Sequence, residues 1–298
     1  MKLGDFRIWG LAPAWIIMTL ALILPICVVV LVSLGTRGSY GGFEFGFSFA
    51  SFQKILFSVG WTDEREFNPQ YLVIIGRTVL LASVTTVICM VLSFPVAYFI
   101  ARQDADRKSL LIYLVTLPFW VSMIVRVYSW IIILGNDGVL DTVLTASGLK
   151  TTPGGFLFGA GAMLTGLVYS YIPLMILPVF AAIERLDTPM IEASHDLYAN
   201  RWVTLRRVIL PVAWPGLMAG AILVFVPCLG AVLEPVLLGG GKKLMMGNLI
   251  ADQFGGARDW PFGSAIALVM MATVMAVLMT ISLRAARREK SDARPGAA

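Results

Sequence analysis

The residue types that most often carry chemistry are few and widely separated in this sequence. His195 is the only histidine, so no pair of histidines is available to bind a metal ion. Cys27, Cys89 and Cys228 lie far apart inside apolar stretches, which is typical of small buried hydrophobic residues and not of a disulfide framework. We therefore predict no metal site.

A glycine run invites comparison with a phosphate-binding loop. Gly239-Gly240-Gly241 is followed by Lys242, but no Ser or Thr comes next, and the Gly-x-x-x-x-Gly-Lys-Ser/Thr motif is missing from the sequence. We interpret the run as a turn between two apolar segments. We also predict that the chain has no catalytic residue and binds no nucleotide or other cofactor of its own.

Two charged residues lie inside long apolar stretches, where a charge costs about 2.5–3.5 kcal/mol at mid-bilayer. One interpretation makes Glu234 an acceptor for a cationic substrate, with cation–π contacts from three aromatic residues, Trp120, Tyr128 and Trp130. The other pairs Glu234 with Arg126, so that the two charges hold their helices together. Both interpretations stay open, and an unneutralised Arg126 in the pathway would repel a cation.

The elements that must position these residues follow from a strongly apolar composition. Of the 298 residues, 58% are hydrophobic and 14% are charged, and the mean hydropathy is +0.83. Soluble domains have about a quarter of their residues charged, so we expect the bilayer to be the solvent. The fold class predicted is an all-α polytopic membrane protein with six transmembrane helices. Each has roughly the 20 apolar residues that a span needs, at residues 11–34, 79–100, 110–134, 156–183, 212–238 and 260–283.

The distribution of Lys and Arg predicts the orientation of the chain. Basic residues are more frequent in the connections on the side of the N-terminus, as is typical of the cytoplasmic side. Residues 1–10 and a basic tail at residues 284–298 are then both cytoplasmic, and we expect the tail to be frayed. These basic ends account for the net charge of +5 without a nucleic-acid partner. The first apolar stretch is too long for a signal peptide, and we interpret it as an uncleaved helix.

The connection at residues 184–211, between spans four and five, is too polar to cross a membrane but has helical periodicity. Thr188 is a favourable N-cap, and Pro189 suits the first position of a helix. We predict a second short helix at residues 201–210, ending before Pro211. The pair would either rest on lipid headgroups or form a docking surface for a cytoplasmic protein. Carboxylates on its polar face disfavour the first interpretation, because the inner leaflet is anionic.

A family resemblance supports the docking interpretation. The EAA loop of ABC importer permeases is similar to the run Glu192-Ala193-Ser194-His195-Asp196-Leu197-Tyr198, followed by Ile209-Leu210-Pro211. Ser194 replaces the second alanine of that motif. Tyr198 stands where the family has a glycine, which permits a tight turn. We expect Asn200, which tolerates left-handed backbone angles, to provide the break between the two helices instead.

Further motifs extend the resemblance over roughly residues 70–270. They are similar to motifs of the spermidine/putrescine-type permeases. These motifs are Pro118-Phe119-Trp120 with Arg126, Tyr128 and Trp130, Leu174–Pro178, Leu237-Leu238-Gly239-Gly240, Gly247-Asn248-Leu249-Ile250 and Trp260-Pro261.

The resemblance implies the type I ABC importer permease fold and one half of a pore for a small solute, such as spermidine, putrescine or a similar cationic amine. It implies a bacterial inner membrane location and four kinds of partner: two cytoplasmic ATPase subunits that bind ATP and Mg²⁺, a second permease subunit of a different homologous chain, an extracytoplasmic solute-binding protein, and lipid. The helix from Pro189 to Asn200 would be the coupling helix. The residues expected to couple to the ATPase are Glu192, Ala193, Ser194, Asp196, Leu197, Tyr198, Ile209, Leu210 and Pro211.

Three other classes of membrane protein compete with this interpretation. A secondary transporter that works without an ATPase would show two related halves and its own coupling-ion carboxylates, but the sequence has no clear internal repeat. An intramembrane enzyme would need a nucleophile–base or carboxylate pair at depth. A structural anchor would not need a patterned cytoplasmic loop.

Overall fold

The computed structural model describes residues 3–59, 65–149, 155–186, 188–241 and 243–292, which are mainly helical. The chain divides into two compact units, one formed by residues 1–73 with 249–298 and the other by residues 74–248. In chain order the elements are α1 (Leu3–Ser33), α2 (Ala50–Leu56), β1 (Phe57–Val59), β2 (Arg65–Phe67), α3 (Gln70–Ala101), α4 (Ala105–Trp120), α5 (Met123–Leu134), α6 (Val139–Ala146), α7 (Ala160–Ile183), α8 (Thr188–Asp196), α9 (Arg201–Thr204), a π-helical turn (Leu205–Ile209), α10 (Leu210–Leu229), α11 (Leu233–Leu237), α12 (Met246–Phe254) and α13 (Trp260–Asp292).

Six helical segments of the described chain are long and apolar enough to cross a membrane, which confirms the predicted number of spans. Their bounds differ from the prediction mainly where proline and glycine interrupt a helix. They are Pro13–Ser33, Gln70–Ala101, Met123–Ala146, Ala160–Ile183, Arg201–Leu229 and Trp260–Thr280.

The third predicted span, residues 110–134, is wrong as a continuous helix. α4 ends at Trp120, and α5 begins at Met123; between them Val121 has an extended backbone, with φ of −90° and ψ of 134°. Pro118 has no N–H and cannot continue the ladder of helical hydrogen bonds. The N–H of Val121 donates to the carbonyl of Pro118, 3.3 Å away, in a tighter final turn.

The fifth predicted span, residues 212–238, is also interrupted. α10 ends at Leu229, and α11 begins only at Leu233. Gly230 weakens a helix, and in a continuous helix the ring of Pro235 would clash with the carbonyl of Ala231, four residues earlier. The break puts Glu234 in a separate short helix beyond the main span.

The prediction that the second short helix of the connecting loop ends before Pro211 is wrong. α9 continues through the π-helical turn into α10, so the helix is unbroken from Arg201 to Leu229. The N–H of Leu210 donates to the carbonyl of Leu205, five residues earlier. This wider turn leaves room for the ring of Pro211, which would otherwise crowd the preceding turn.

The unit that contains both ends of the described chain is built on α1 and α13, which pack together. β1 and β2 form an antiparallel hairpin in which Phe57 pairs with Phe67. α13 continues to Asp292, so the first residues of the predicted frayed tail are helical. Residues 1–2 and 293–298 of the predicted terminal segments lie outside the described residues.

The core of the other unit is a close contact between α7 and α10. A Cβ atom on Gly216 would lie 2.5 Å from the carbonyl oxygen of Pro178 and 2.6 Å from Cβ of Ala182. One turn later, a Cβ on Gly220 would lie 2.5 Å from Sδ of Met175. Small residues four positions apart let two membrane helices approach to backbone contact, and α7 and α10 use this arrangement.

The cysteines only partly follow the expectation of burial. Cys89 and Cys228 are buried, and Sγ of Cys89 lies 3.9 Å from the carbonyl oxygen of Val168. Cys27 is exposed on α1, so the prediction is wrong for this residue in the isolated chain. A helix that faces lipid has no need to bury its apolar side chains within the protein.

Candidate functional site

The EAA-like loop forms α8 and α9, which are joined by buried contacts. Ile191 and Ser194 are buried on one face of α8. The hydroxyl oxygens of Ser194 and Thr204 are 2.9 Å apart and share a hydrogen bond, and the Ser194 hydroxyl also donates to the carbonyl of Ile191. Ser194 therefore connects α8 to α9 inside this chain, and Ile209 is also buried.

Several other residues of α8, and the two that follow it, are not covered by any part of the chain that the structure describes. The side chain of Leu197 is 81% exposed and that of Tyr198 is 98% exposed. Glu192, Ala193 and Asp196 are also exposed, whereas the side chain of His195 lies outside the described residues. We call this set of five exposed residues the α8 surface. It combines two carboxylates with two large apolar side chains. Leu210 and Pro211, the other predicted coupling residues, begin α10.

The break after α8 lies at Tyr198 and not at Asn200, so the sequence prediction is wrong at this point. Tyr198 has a φ of 57°, in the left-handed region. Asn200 has φ of −73° and ψ of 165°, and its side-chain oxygen accepts a hydrogen bond from the N–H of Val203 at 2.8 Å. Asn200 is an N-cap for α9, a role that suits its short side-chain acceptor.

The second group of predicted residues centres on Glu234, whose side chain is 0% exposed. Neither carboxylate oxygen has a hydrogen-bond partner among the described residues. Arg126 on α5 is near enough to influence the carboxylate electrostatically. It forms no ion pair with Glu234 in the described structure, and its Nε and Nη1 atoms are buried without hydrogen-bond partners. Two opposite charges therefore share one region without direct contact.

Polar side chains of α7 lie beside Glu234 and were not predicted as site residues. Ser170 is close to the carboxylate without the geometry of a hydrogen bond, and Tyr171 is within electrostatic range of it. The Tyr171 hydroxyl donates to the carbonyl of Pro227 at 3.4 Å. The signal in the sequence was the run Tyr169-Ser170-Tyr171 in the middle of a mainly apolar span.

The close packing of α11 on α7 depends on Gly166. A Cβ atom at this position would overlap the side chain of Leu238 and would lie 3.5 Å from Cγ of Glu234. Around this contact lies a buried cluster with Val127 and Ala162. Gly166 thus fixes how near Glu234 comes to the polar residues of α7.

Two of the three predicted aromatic residues are largely exposed, and the third packs against an aromatic residue of α7. Trp120 is 80% exposed and Tyr128 is 52% exposed. The ring of Trp130 packs edge-on against Tyr169, with ring centroids 5.5 Å apart. The interruption between α4 and α5 changes the helical phase between Trp120 and Tyr128, so their spacing in the sequence does not put them on one face.

The predicted glycine turn is confirmed. Gly239, Gly240 and Gly241 lie in the turn that follows α11, and the last two have φ of 66° and 68°. Positive φ angles are readily adopted by glycine. Lys242 of the same run lies outside the described residues.

Comparison with known proteins identifies the family. Residues 16–290 match the model of the family described as "Binding-protein-dependent transport system inner membrane component". The chain is 35% identical over 263 residues to the spermidine/putrescine transport system permease protein PotB of Haemophilus influenzae, covering 88% of each chain.

Solved structures show the same fold at lower sequence identity. A chain of a bacterial ABC transporter that imports the acidic polysaccharide alginate has a TM-score of 0.72 at 16% identity, covering 95% of this chain and 96% of that one. A second structure of the alginate transporter, with a periplasmic protein bound to alginate pentasaccharide, has a TM-score of 0.69 at 17% identity, with 93% of each chain covered. The chain belongs to the binding-protein-dependent transport system inner membrane components and is a permease subunit of an ABC importer.

Proposed function

We propose that this permease subunit forms half of a pore for a small cationic amine, such as spermidine or putrescine, and that Glu234 accepts the cation. The observation that carries this proposal is the fully buried carboxylate with two unsatisfied oxygens. Burying an unpaired carboxylate is strongly unfavourable. An ammonium group with three N–H donors supplies both the missing charge and the missing hydrogen bonds.

The position of Glu234 along the chain suits such a role. α10 has 20 residues, which corresponds to roughly 30 Å at 1.5 Å per residue. Glu234 follows α10, whereas α8 precedes it, so the two sites lie at opposite ends of one span. With both termini in the cytoplasm, α8 faces the cytoplasm and Glu234 lies towards the external side, where a solute-binding protein delivers its solute.

The competing interpretation gives Glu234 and Arg126 a purely structural role. In that case, the two charges stabilise the packing of α5 against α11 and neither contacts the solute. The lack of an ion pair between them in the described structure favours the transport role. The two roles predict different results for the same substitution.

Uptake of radiolabelled spermidine and putrescine by the reconstituted importer tests the substrate proposal with Glu234→Gln. This variant keeps the size of the side chain and removes its charge. We expect the apparent KM to rise at least about tenfold, because a hydrogen bond to a charged group contributes about 1.5–3 kcal/mol. Glu66→Gln, the same change at an exposed residue, is the matched control. Unchanged affinity and specificity would refute the proposal, and a lower melting temperature with unchanged uptake would favour the structural role.

We further propose that the α8 surface couples the permease to a dimer of cytoplasmic ATPase subunits, which bind the ATP and Mg²⁺. This chain contributes no catalytic group. Leu197 fills an apolar recess of the ATPase, and Glu192 pairs with a basic group at its edge. The other partners are a second, homologous permease subunit and an extracytoplasmic solute-binding protein. The exposure of Leu197 and its carboxylate neighbours supports this assignment.

Co-purification in nanodiscs with a co-expressed ATPase partner tests the coupling. We expect the wild type to retain the ATPase and the double variant Glu192→Ala/Leu197→Asp to lose it while remaining folded. Asp106→Ala, which changes another exposed carboxylate, is the control and should retain the ATPase. If no ATPase binds the wild type under any nucleotide condition, a transporter that works without an ATPase becomes the better explanation.

A further inference from the structure

A cleft of about 550 Å³ lies between the end of α3 and the helices α8 and α9. Its lining includes the buried side chains of Ile191 and Ile209. It also includes two exposed arginines, Arg102 and Arg201. The first follows α3 directly, and the second is the first residue of α9. The cleft therefore combines an apolar lining with two positive charges that come from separate helices.

The two guanidinium groups have no anionic partner in the part of the chain that the structure describes. Nη2 of Arg102 donates to the hydroxyl of Tyr98 at 3.1 Å, and its Cζ lies 5.3 Å from the centroid of the same ring. Neither Arg102 nor Arg201 forms an ion pair there, whereas the nearby Lys108 pairs with Glu184 at 3.2 Å. Like charges that line one cleft repel each other, so an anion bound between them would be stabilised.

The cleft lies where two membrane helices reach the same surface of the bilayer. α3 ends at Ala101, just before Arg102, and Arg201 begins the membrane-spanning segment Arg201–Leu229. Trp202, which is 70% exposed, lines the same cleft, and tryptophan is enriched at membrane–water interfaces. With both termini in the cytoplasm, this surface faces the inner leaflet. That leaflet is anionic, and basic pockets between membrane helices on this side bind lipid headgroups.

We propose that this cleft binds an acidic phospholipid through its phosphate group. The planar guanidinium groups of Arg102 and Arg201 suit two-pronged hydrogen bonding to phosphate oxygens. The apolar start of an acyl chain then packs against Leu205, which also lines the cleft. The carboxylates of Glu192 and Asp196 would repel such a lipid, but they are not among the described residues that line the cleft.

A bound lipid would connect the helix α3 with the buried side of α8, through Ile191. It would lie apart from the exposed residues of the α8 surface. The inference rests on the cytoplasmic position of the termini, and it requires neither the cation site at Glu234 nor the docking of an ATPase. The purified subunit alone can therefore test it.

Native mass spectrometry of the purified subunit, titrated with phosphatidylglycerol or phosphatidylcholine, measures the binding. We expect one phosphatidylglycerol to bind the wild type with a Kd at least about tenfold lower than that of the zwitterionic lipid. In Arg102→Gln/Arg201→Gln this Kd should rise about tenfold, because each partly exposed charge pair contributes roughly threefold. The control Arg206→Gln/Arg207→Gln removes the same charge from exposed residues outside the cleft lining and should change the Kd by less than about twofold.

Equal phosphatidylglycerol affinity in the wild type and the cleft variant would overturn the proposal, as would an equal loss in the control variant. Displacement of the lipid by inorganic phosphate would identify a small soluble anion as the occupant instead. A cleft variant that keeps the lipid but loses a co-expressed ATPase would assign the cleft to the ATPase interface and also overturn the proposal. If thermal unfolding shows that the double variant is not folded, Arg102→Gln alone replaces it, with an expected loss of about threefold.

Discussion

The contact between α7 and α10 predicts opposite effects for two glycine-to-alanine substitutions. In Gly216→Ala the new methyl group would lie 2.5 Å from the carbonyl oxygen of Pro178 and 2.6 Å from Cβ of Ala182. These atoms are main chain and Cβ, so no rotamer change can relieve the overlap. In Gly76→Ala, on α3, the methyl group would meet no atom within 4 Å.

The expected magnitudes follow from this geometry. Overpacking of a close contact typically destabilises by about 1–3 kcal/mol. Because the overlap at Gly216 is with main-chain and Cβ atoms, the upper part of this range, about 2–3 kcal/mol, applies. The greater helix propensity of alanine offsets about 1 kcal/mol of this loss, which leaves a net destabilisation of about 1–2 kcal/mol for Gly216→Ala. For Gly76→Ala only the propensity term acts, so we expect up to about 1 kcal/mol of stabilisation.

Equilibrium unfolding of the purified subunit by SDS, in mixed micelles, measures both variants on one scale. The two substitutions are chemically identical and both lie in membrane-spanning helices, so their difference isolates the helix contact. A Gly216→Ala variant as stable as the wild type would refute the close packing of α7 and α10. A destabilised Gly76→Ala variant would show that glycine is required in these helices for another reason.

Three further substitutions test other contacts in the molecule. Asn200→Ala removes the cap of α9 and should lower the unfolding free energy by about 1 kcal/mol, and an unchanged melting temperature would refute the capping role. Gly166→Ala should push Leu238 away from α7 and weaken substrate uptake together with stability, whereas an effect on neither would contradict the packing beside the site. Asp259→Asn should cost about 0.5 kcal/mol by thermal unfolding, because its ion pair with Lys54 (2.6 Å) has one half-exposed partner, and a loss above about 2 kcal/mol would mean that the pair is effectively buried.

Much of the architecture follows from hydropathy alone. Six apolar stretches predict six spans, and the polar periodic segment between the fourth and fifth predicts the helical loop. Hydropathy does not detect where a helix is interrupted, since the residues around Val121 and Ala231 are as apolar as those inside a helix. The interruptions depend on the hydrogen bonds that Pro118 and Pro235 cannot make, and proline alone is a weak predictor, because α7 contains two prolines and remains one helix.

Some residues of the candidate sites could be found from the sequence, whereas others depend on local helix geometry that the sequence does not show. Glu234 and Arg126 stand out in the sequence because a charge in an apolar stretch is rare. The aromatic residues do not stand out in this way. Whether their side chains lie on one face of a helix depends on the helical phase, which the break before Met123 changes. At the loop, residue preferences favoured Asn200 for the left-handed turn. The left-handed conformation lies instead at Tyr198, next to the hydrogen bond from the N–H of Ala199 to the carbonyl of Ser194, and Asn200 is needed as a cap.

The backbone contact at Gly216 also has a mechanical consequence. α8 and α9 connect the end of α7 to the start of α10, and these two spans touch too closely at Pro178 to slide or separate without breaking their packing. We therefore expect a force applied to α8 to move both spans together as one rigid body. Little of the displacement would be lost as bending near the membrane surface, and a short surface helix could move a segment of the bilayer-spanning bundle as a whole.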